Sequence, residues 1–353
     1  MTTSAPTILP GDIRTRAEIR EHLGGSPQGG ICPSDVKRTV VLFSDIDAGK
    51  QYGYRDGWLA EEDDLGPVFT YTGAGTRGDQ TFGGLFGKGN SAVLDHAARG
   101  RTLHLFIAEG KVPGSGARLH RYVGPFAVDE REPYHLRQAL DENQRERSVI
   151  VFRLRPIGEV YRSEAHMLPR AGSTRPIFLR AREATRLARA QRRQRRQQRH
   201  QTPEDVVAQR RDELSESYES QLHQAGHSVG YLQVDVKDKT STLITDLYDE
   251  SDNTLYEPAG STSREAIRGA LAQLLDLSRY LRTMEHSQPL RLMVLSPELP
   301  DADIRELLDE HDVGVIYQTE DGGFSEFQSE RNAQGRRRGP VPQCAECPAL
   351  VRR

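Results

Sequence analysis

Two different rhythms of apolar residues divide this chain. From Val40 to about Pro156 the apolar positions come in short runs or alternate with polar ones, as VVLFS, PVFTYTG, TLHLFIAE, LHRYVGPFAV and SVIVFRLRP, separated by glycine-rich turns. Alternation of period two sends successive side chains to opposite faces, so this half predicts a β-rich domain, a barrel or a strongly curved sheet. Beyond residue 200 the period lengthens. A helix is predicted across Glu204 to His223, then a strand from Tyr231 to Val236. Thr262-Ser-Arg-Glu265 reads as a capping box opening a helix with Ile267, Ala270, Leu271, Leu274 and Leu281 on one stripe. An apolar strand (Leu292 to Leu295), a helix from Asp301 to about Asp309 and a strand (Val313 to Tyr317) follow. With the hairpin below, the order is helix, three strands, helix, strand, helix, strand, an α/β core.

That hairpin is TDLYDESDNTLYEPAG, residues 245–260. If ESDN is the turn, paired residue numbers sum to 503, and Asp246 faces Glu257 with Cβ atoms roughly 5 Å apart. Two opposed carboxylates outline a divalent-cation site. Position 259 shares a face with Glu257, and it is Ala259. Glu216, on the preceding helix, is a candidate further ligand, against the plainer reading of a solvated helix carboxylate.

The first half carries a different constellation. Tyr52-Gly-Tyr54-Arg-Asp56-Gly-Trp58 is followed by Tyr71-Thr72-Gly-Ala-Gly75, Gly78-Asp79 and Gly89-Asn90. Rings to stack on, carboxylates for a base edge and glycines for close backbone approach are what an extruded nucleobase needs. Tyr54, Asp56, Trp58, Tyr71, Thr72 and Asp79 are the pocket candidates, each aromatic weighed against a place in the core. On a regular strand Thr72 faces away from Tyr71. Thr81 to Lys88 reads either as a finger entering a DNA groove or as a longer hairpin tip.

At 353 residues the chain has room for two domains, each with its own core. No run of eighteen apolar residues and no signal pattern is present, so no membrane partner is expected and the cytoplasm is the default location. Cys32, Cys344 and Cys347 form no disulfide framework, and CAEC lacks a second pair for zinc. The net charge of −3 hides an uneven distribution. Between Arg180 and Arg199 nine arginines and one acid, Glu183, give +8, leaving −11 for the remainder. Arg192, Arg193 and Arg196 there are candidate phosphate contacts, the alternative being a solvated spacer. The predicted division is residues 1–158 as the β-rich domain, 159–200 as an Arg-rich helical linker, 201–325 as the α/β domain, and 326–353 as a basic tail.

The hairpin pattern resembles the PD-(D/E)XK nuclease motif. The resemblance implies Asp246 and Glu257 as ligands of Mg²⁺ (or Mn²⁺), Ala259 in the place of the motif lysine, and Gln273 near the metal. Loss of the lysine cripples water activation, whether Ala259 is engineered or natural; Lys237 and Lys239 are the spatial substitutes to consider. The first half resembles the SRA (YDG) domain of modification-dependent restriction endonucleases, on Arg16 to Ile19, Gly24-Gly25, Gly29-Gly30-Ile31, Tyr54 with Asp56-Gly57-Trp58, Phe69 with Tyr71-Thr72-Gly73, Gly78-Asp79, Gly89-Asn90, His96 and Tyr122-Val123-Gly124. It implies an α+β, SRA-like curved barrel that flips a methylated or similar cytosine from double-stranded DNA. Together these imply a type IV-like restriction endonuclease, impaired at Ala259 and working as a homodimer. The rival expectation is a non-catalytic modified-DNA reader with a pseudonuclease domain.

Overall fold

In a computed structural model of the chain, residues 8–180, 203–282, 284 and 286–327 are described. Two units emerge: Met1–Ala171 with Asp238–Ser241, and Gly172–Lys237 with Thr242–Arg353. Arg192, Arg193, Arg196 and CAEC lie outside the described residues.

The first unit comprises β1 (Ile13–Thr15), α1 (Arg16–Leu23), β2 (Ile31–Ser34), β3 (Thr39–Ser44), α2 (Ile46–Gly49), β4 (Gly57–Trp58), β5 (Phe69–Thr72), α3 (Gly84–Leu94), β6 (Thr102–Lys111), β7 (Arg118–Val128), β8 (Tyr134–Leu140) and β9 (Glu146–Pro156). The alternating runs do become strands, in the order β2-β3-β6-β7-β9-β5-β4, with β1 on β7 and β8 on β9. The barrel expectation is corrected: the sheet is open. Closure needs a ladder between its outermost strands, and β4 is only two residues long. At the other end α3 lies against β2, where a Cβ on Gly89 would sit 3.4 Å from Ile31. Apolar runs lacking strict alternation, as in β3 and β9, are buried on both faces. Trp58, Phe69 and Phe126 form one aromatic cluster, with ring centroids 5.4, 5.7 and 6.2 Å apart.

The stretch read as a finger or hairpin tip is neither, because from Gly84 onward it is helix α3. Its glycines allow close packing: a Cβ at Gly87 would come 2.6 Å from the backbone of Phe82.

The second unit comprises β10 (Arg175–Arg180), α4 (Pro203–Gln224), β11 (Val229–Asp235), β12 (Thr242–Ile244), β13 (Leu247–Asp249), β14 (Thr254–Pro258), α5 (Arg264–Leu281), β15 (Arg291–Ser296), α6 (Ala302–Glu310), β16 (Val313–Gln318) and β17 (Phe324–Phe327). The sheet order is β10-β11-β13-β14-β15-β16-β17, with β12 on β11. β14, β15 and β16 are parallel, joined through α5 and α6 as parallel neighbours require. Helices cover both faces. Leu214, Tyr218 and Leu222 of α4 pack on Leu247, Tyr256 and Leu295, whereas Ile267, Leu274 and Leu281 of α5 pack on Leu232, Leu255 and Val294. The cap of α5 is Ser263, one residue beyond the start read from sequence, and its hydroxyl accepts from the Ala266 amide.

Two boundaries differ from the sequence reading. Arg175–Arg180, inside the expected linker, is strand β10, antiparallel to β11. Residues 159–171 belong to the first unit, where the Tyr161 amide donates to Val123 and the Leu168 amide to Trp58. No helix among the described residues is long and apolar enough to cross a membrane.

Candidate functional site

A cavity of about 420 Å³ opens in the first unit. The ends of β3 and β5, the segment after α2, the start of β7 and Arg16 of α1 meet around it. Its lining includes Tyr54, Asp56, Tyr71 and Thr72, four of the residues singled out by sequence. Asp56 is the polar centre. Its Oδ2 accepts from the Ser44 hydroxyl at 2.7 Å and its Oδ1 from the Thr72 amide at 2.7 Å. Burial pushes its carboxyl above the ordinary value, and those two donors oppose the rise. The Tyr71 hydroxyl donates to the Gly30 carbonyl at 3.0 Å, and the Tyr54 hydroxyl to that of Gly75 at 2.7 Å. Both phenols are pushed up by burial, so they stay neutral at physiological pH. Tyr71 and Thr72, neighbours at the end of β5, both line the cavity.

The lining also holds residues that the sequence reading did not assign to a pocket. Arg16 stacks its guanidinium 3.8 Å from the Phe43 ring and donates to Gly29. Arg118 pairs with Asp45, which caps α2 through the Ala48 amide. His120 is pushed down to about 4 by burial and by Arg16 and Arg118, and is neutral at pH 7. One sequence signal for Arg118 and His120 exists, their spacing of two on a single strand face, but it resembles any alternating strand.

The Gly73–Gly75 wall is held from behind. Gln80 Nε2 donates to the carbonyls of Gly73 and Gly75 at 2.6 and 2.9 Å. Asn90 accepts from the Ala74 amide at 2.7 Å and donates to its carbonyl at 3.1 Å. A Cβ at Gly73 would lie 2.7 Å from Asn90 Oδ1, which explains the glycine. Arg147, 1% exposed, donates to Gly75 O and to Tyr52 O, each at 2.7 Å, and so ties two walls together. Of the other candidates, Asp79 braces this frame by accepting from the Ser148 amide at 2.7 Å. Trp58 is fully buried against Phe69 and Phe126, so it is core and not pocket.

The second unit places its carboxylates as follows. Leu247 pairs with Tyr256 and Asp249 with Thr254, the 503 register, which sets Asp246 and Glu257 on the next rung. Arg211 of α4 donates through one nitrogen, Nη2, to Asp246 Oδ2 at 2.8 Å and to Glu257 Oε1 at 2.6 Å. Glu257 is 2% exposed. Burial and the Asp246 charge push its carboxyl up, and Arg211 pulls against them. Burial would lower the Arg211 guanidinium, but Asp246 and Glu257 carry it above its ordinary value. The approach of α4 is close, since a Cβ at Gly260 would lie 2.2 Å from the Val207 carbonyl oxygen.

Ala259 is buried in the apolar cluster with Leu255 and Ile267, and its amide donates to Leu295 O at 2.8 Å. Gln273 is exposed on α5, off the buried stripe, and is not brought to the pair. Glu216 is half-buried on α4, five residues from Arg211 and so about 140° around the axis from it. Lys237 and Lys239 are exposed, and Lys239 folds with the first unit. A second ligand-type cluster sits at the hairpin tip. His227 Nδ1 lies 2.6 Å from Asp249 Oδ2 and 3.9 Å from Asp252. Asp249 also accepts from the Ser251 amide, the bonding of a turn clamp.

No curated protein matches the chain. Among solved structures, the sulfur binding domain and SRA domain of ScoMcrA complexed with phosphorothioated DNA is 25% identical over 46% of this chain and 43% of that one, with a TM-score of 0.30. The DNA modification-dependent restriction endonuclease AspBHI is 16% identical over 40% and 68%, with a TM-score of 0.30. The MspJI restriction endonuclease in complex with a 27-mer oligonucleotide is 11% identical over 88% and 78%, with a TM-score of 0.25. The chain thus spans less than half of the ScoMcrA chain it matches. Residues 10–168, the stretch that builds the cavity, match the family described as ScoMcrA-like, SRA domain, and the first unit is an SRA-like domain.

Proposed function

We propose that the chain reads modified double-stranded DNA by taking a flipped, 5-modified cytosine into the cavity of its first unit. One observation carries this: a single cavity gathers Asp56, Tyr54 and Tyr71 with the cations Arg16 and Arg118. The tyrosine rings supply stacking, Asp56 accepts from the base's edge, and the arginines meet the flanking phosphates. Extrusion costs a few kcal/mol, and stacking of about 1–3 kcal/mol per base offsets it. Equilibrium binding to methylated, hydroxymethylated and plain duplexes at one salt concentration tests the reading. Preference for a modified duplex is expected; equal affinity for all three would reduce the unit to a phosphate binder.

For the second unit the proposed ancestry is a PD-(D/E)XK-like nuclease, as in modification-dependent, type IV-like restriction. Convergence of Asp246 and Glu257 on one nitrogen favours a cation position between them. Two carboxylates are suitable oxygen donors for Mg²⁺ or Mn²⁺. As folded, however, the set does not fit a divalent ion, because the converging oxygens are bonded to Arg211; with no lysine at 259, water activation beside any metal would be weakened as well. The chain is therefore read as a binder with little or no cleavage. Incubating methylated plasmid with Mg²⁺ checks this, and prompt fragmentation by the unaltered chain would reverse it.

A further inference from the structure

The geometry points to Arg211 as a built-in cation: its guanidinium occupies the position between Asp246 and Glu257 and keeps divalent metal out. The inference rests on the carboxylate-pair reading alone and is independent of what the first unit binds. A single nitrogen, Nη2, takes both Glu257 Oε1 at 2.6 Å and Asp246 Oδ2 at 2.8 Å. That is the placement of a shared cation, whereas an ordinary bidentate pair spreads two nitrogens over one carboxylate. Glu257 is 2% exposed, so a charge on it is held only with an internal partner. Ala259 contributes no positive charge there, and Arg211 is bonded to both acids.

Arg211 is also positioned by the fold. Three residues on, Leu214 is buried in the α4 core cluster, and Gly260 admits the α4 backbone at Val207. The guanidinium therefore reaches the hairpin from a helix packed directly on it. A divalent ion needs the same two oxygens, and a hard cation beside a guanidinium adds like-charge repulsion to the missing ligands.

The test is Mn²⁺ titration of the full chain by calorimetry, comparing wild type, Arg211→Gln and Arg211→Gln/Asp246→Asn. Arg211→Gln is expected to bind at least about tenfold tighter than wild type, because a unit positive charge about 4 Å away is removed. The double variant is expected to lose that binding. Equal affinity in wild type and Arg211→Gln overturns the proposal, as does gained binding that survives Asp246→Asn, which would place the ion elsewhere, such as His227–Asp249–Asp252. Thermal unfolding of the wild type with and without Mn²⁺ covers the case in which Arg211→Gln does not fold. No shift supports the built-in cation; a rise in Tm abolished by Asp246→Asn refutes it.

Discussion

Asp56 lines the proposed recognition cavity and also bears on stability. Its carboxyl sits above the ordinary 3.8 because it is buried, so in the window above that value the folded state holds more proton than the unfolded one. Stability then falls as pH rises through the window. Asp56→Asn keeps an acceptor for the Thr72 amide and removes the titration, so its stability relative to wild type is expected to improve from pH 4 to pH 7, read by urea unfolding. A stability difference constant across that range would show that Asp56 titrates normally. Tyr54 separates recognition from packing. Tyr54→Ala is expected to weaken modified-duplex binding by about 1–3 kcal/mol, with plain-duplex affinity unchanged in the same assay.

At the scale of elements, packing on two faces of the second sheet dominates. Leu222 and Leu274 are each fully buried, one under α4 and one under α5. Each Leu→Ala change is expected to cost about 2–5 kcal/mol of unfolding free energy. The stripe Ile267, Ala270, Leu271, Leu274, Leu281 was legible because a helical period imposes it, and the hairpin register because a four-residue turn leaves one pairing. Helix α3 was not legible, since Gly84, Gly87 and Gly89 carry loop statistics, and Gly87 is there for close approach to the Phe82 backbone. Strand β10 was masked by the charged stretch it begins, and β8 by alternation too polar to stand out. In the site, local motifs delivered Tyr54, Asp56, Tyr71 and Thr72. Arg118 and His120 come from β7, distant in sequence, and Arg211 sits in a run with Arg210 and Asp212 where nothing marks one cation over its neighbour. Trp58 misled because an aromatic beside a carboxylate motif reads alike in core and pocket.

Across the whole molecule, charge and recognition are separable. Nine arginines lie between Arg180 and Arg199 in a chain whose remainder is acidic. Replacing Arg192, Arg193 and Arg196 with Gln is expected to lower affinity for modified and plain duplexes alike and to flatten the salt dependence by up to about 0.9 for each phosphate no longer neutralised. A change in the modified-to-plain ratio would instead place these arginines in recognition.

Arg147 reaches one carbonyl beside Tyr54 and another beyond β5, and both bonds come from a single planar group of fixed span. The gap between the tyrosine-bearing walls is thereby calibrated by one strut. Lys at this position has neither the fork nor the reach for both anchors, so the aperture would slacken there first; if the cavity holds a base as proposed, Arg147→Lys is expected to relax discrimination among base adducts more than it weakens duplex binding.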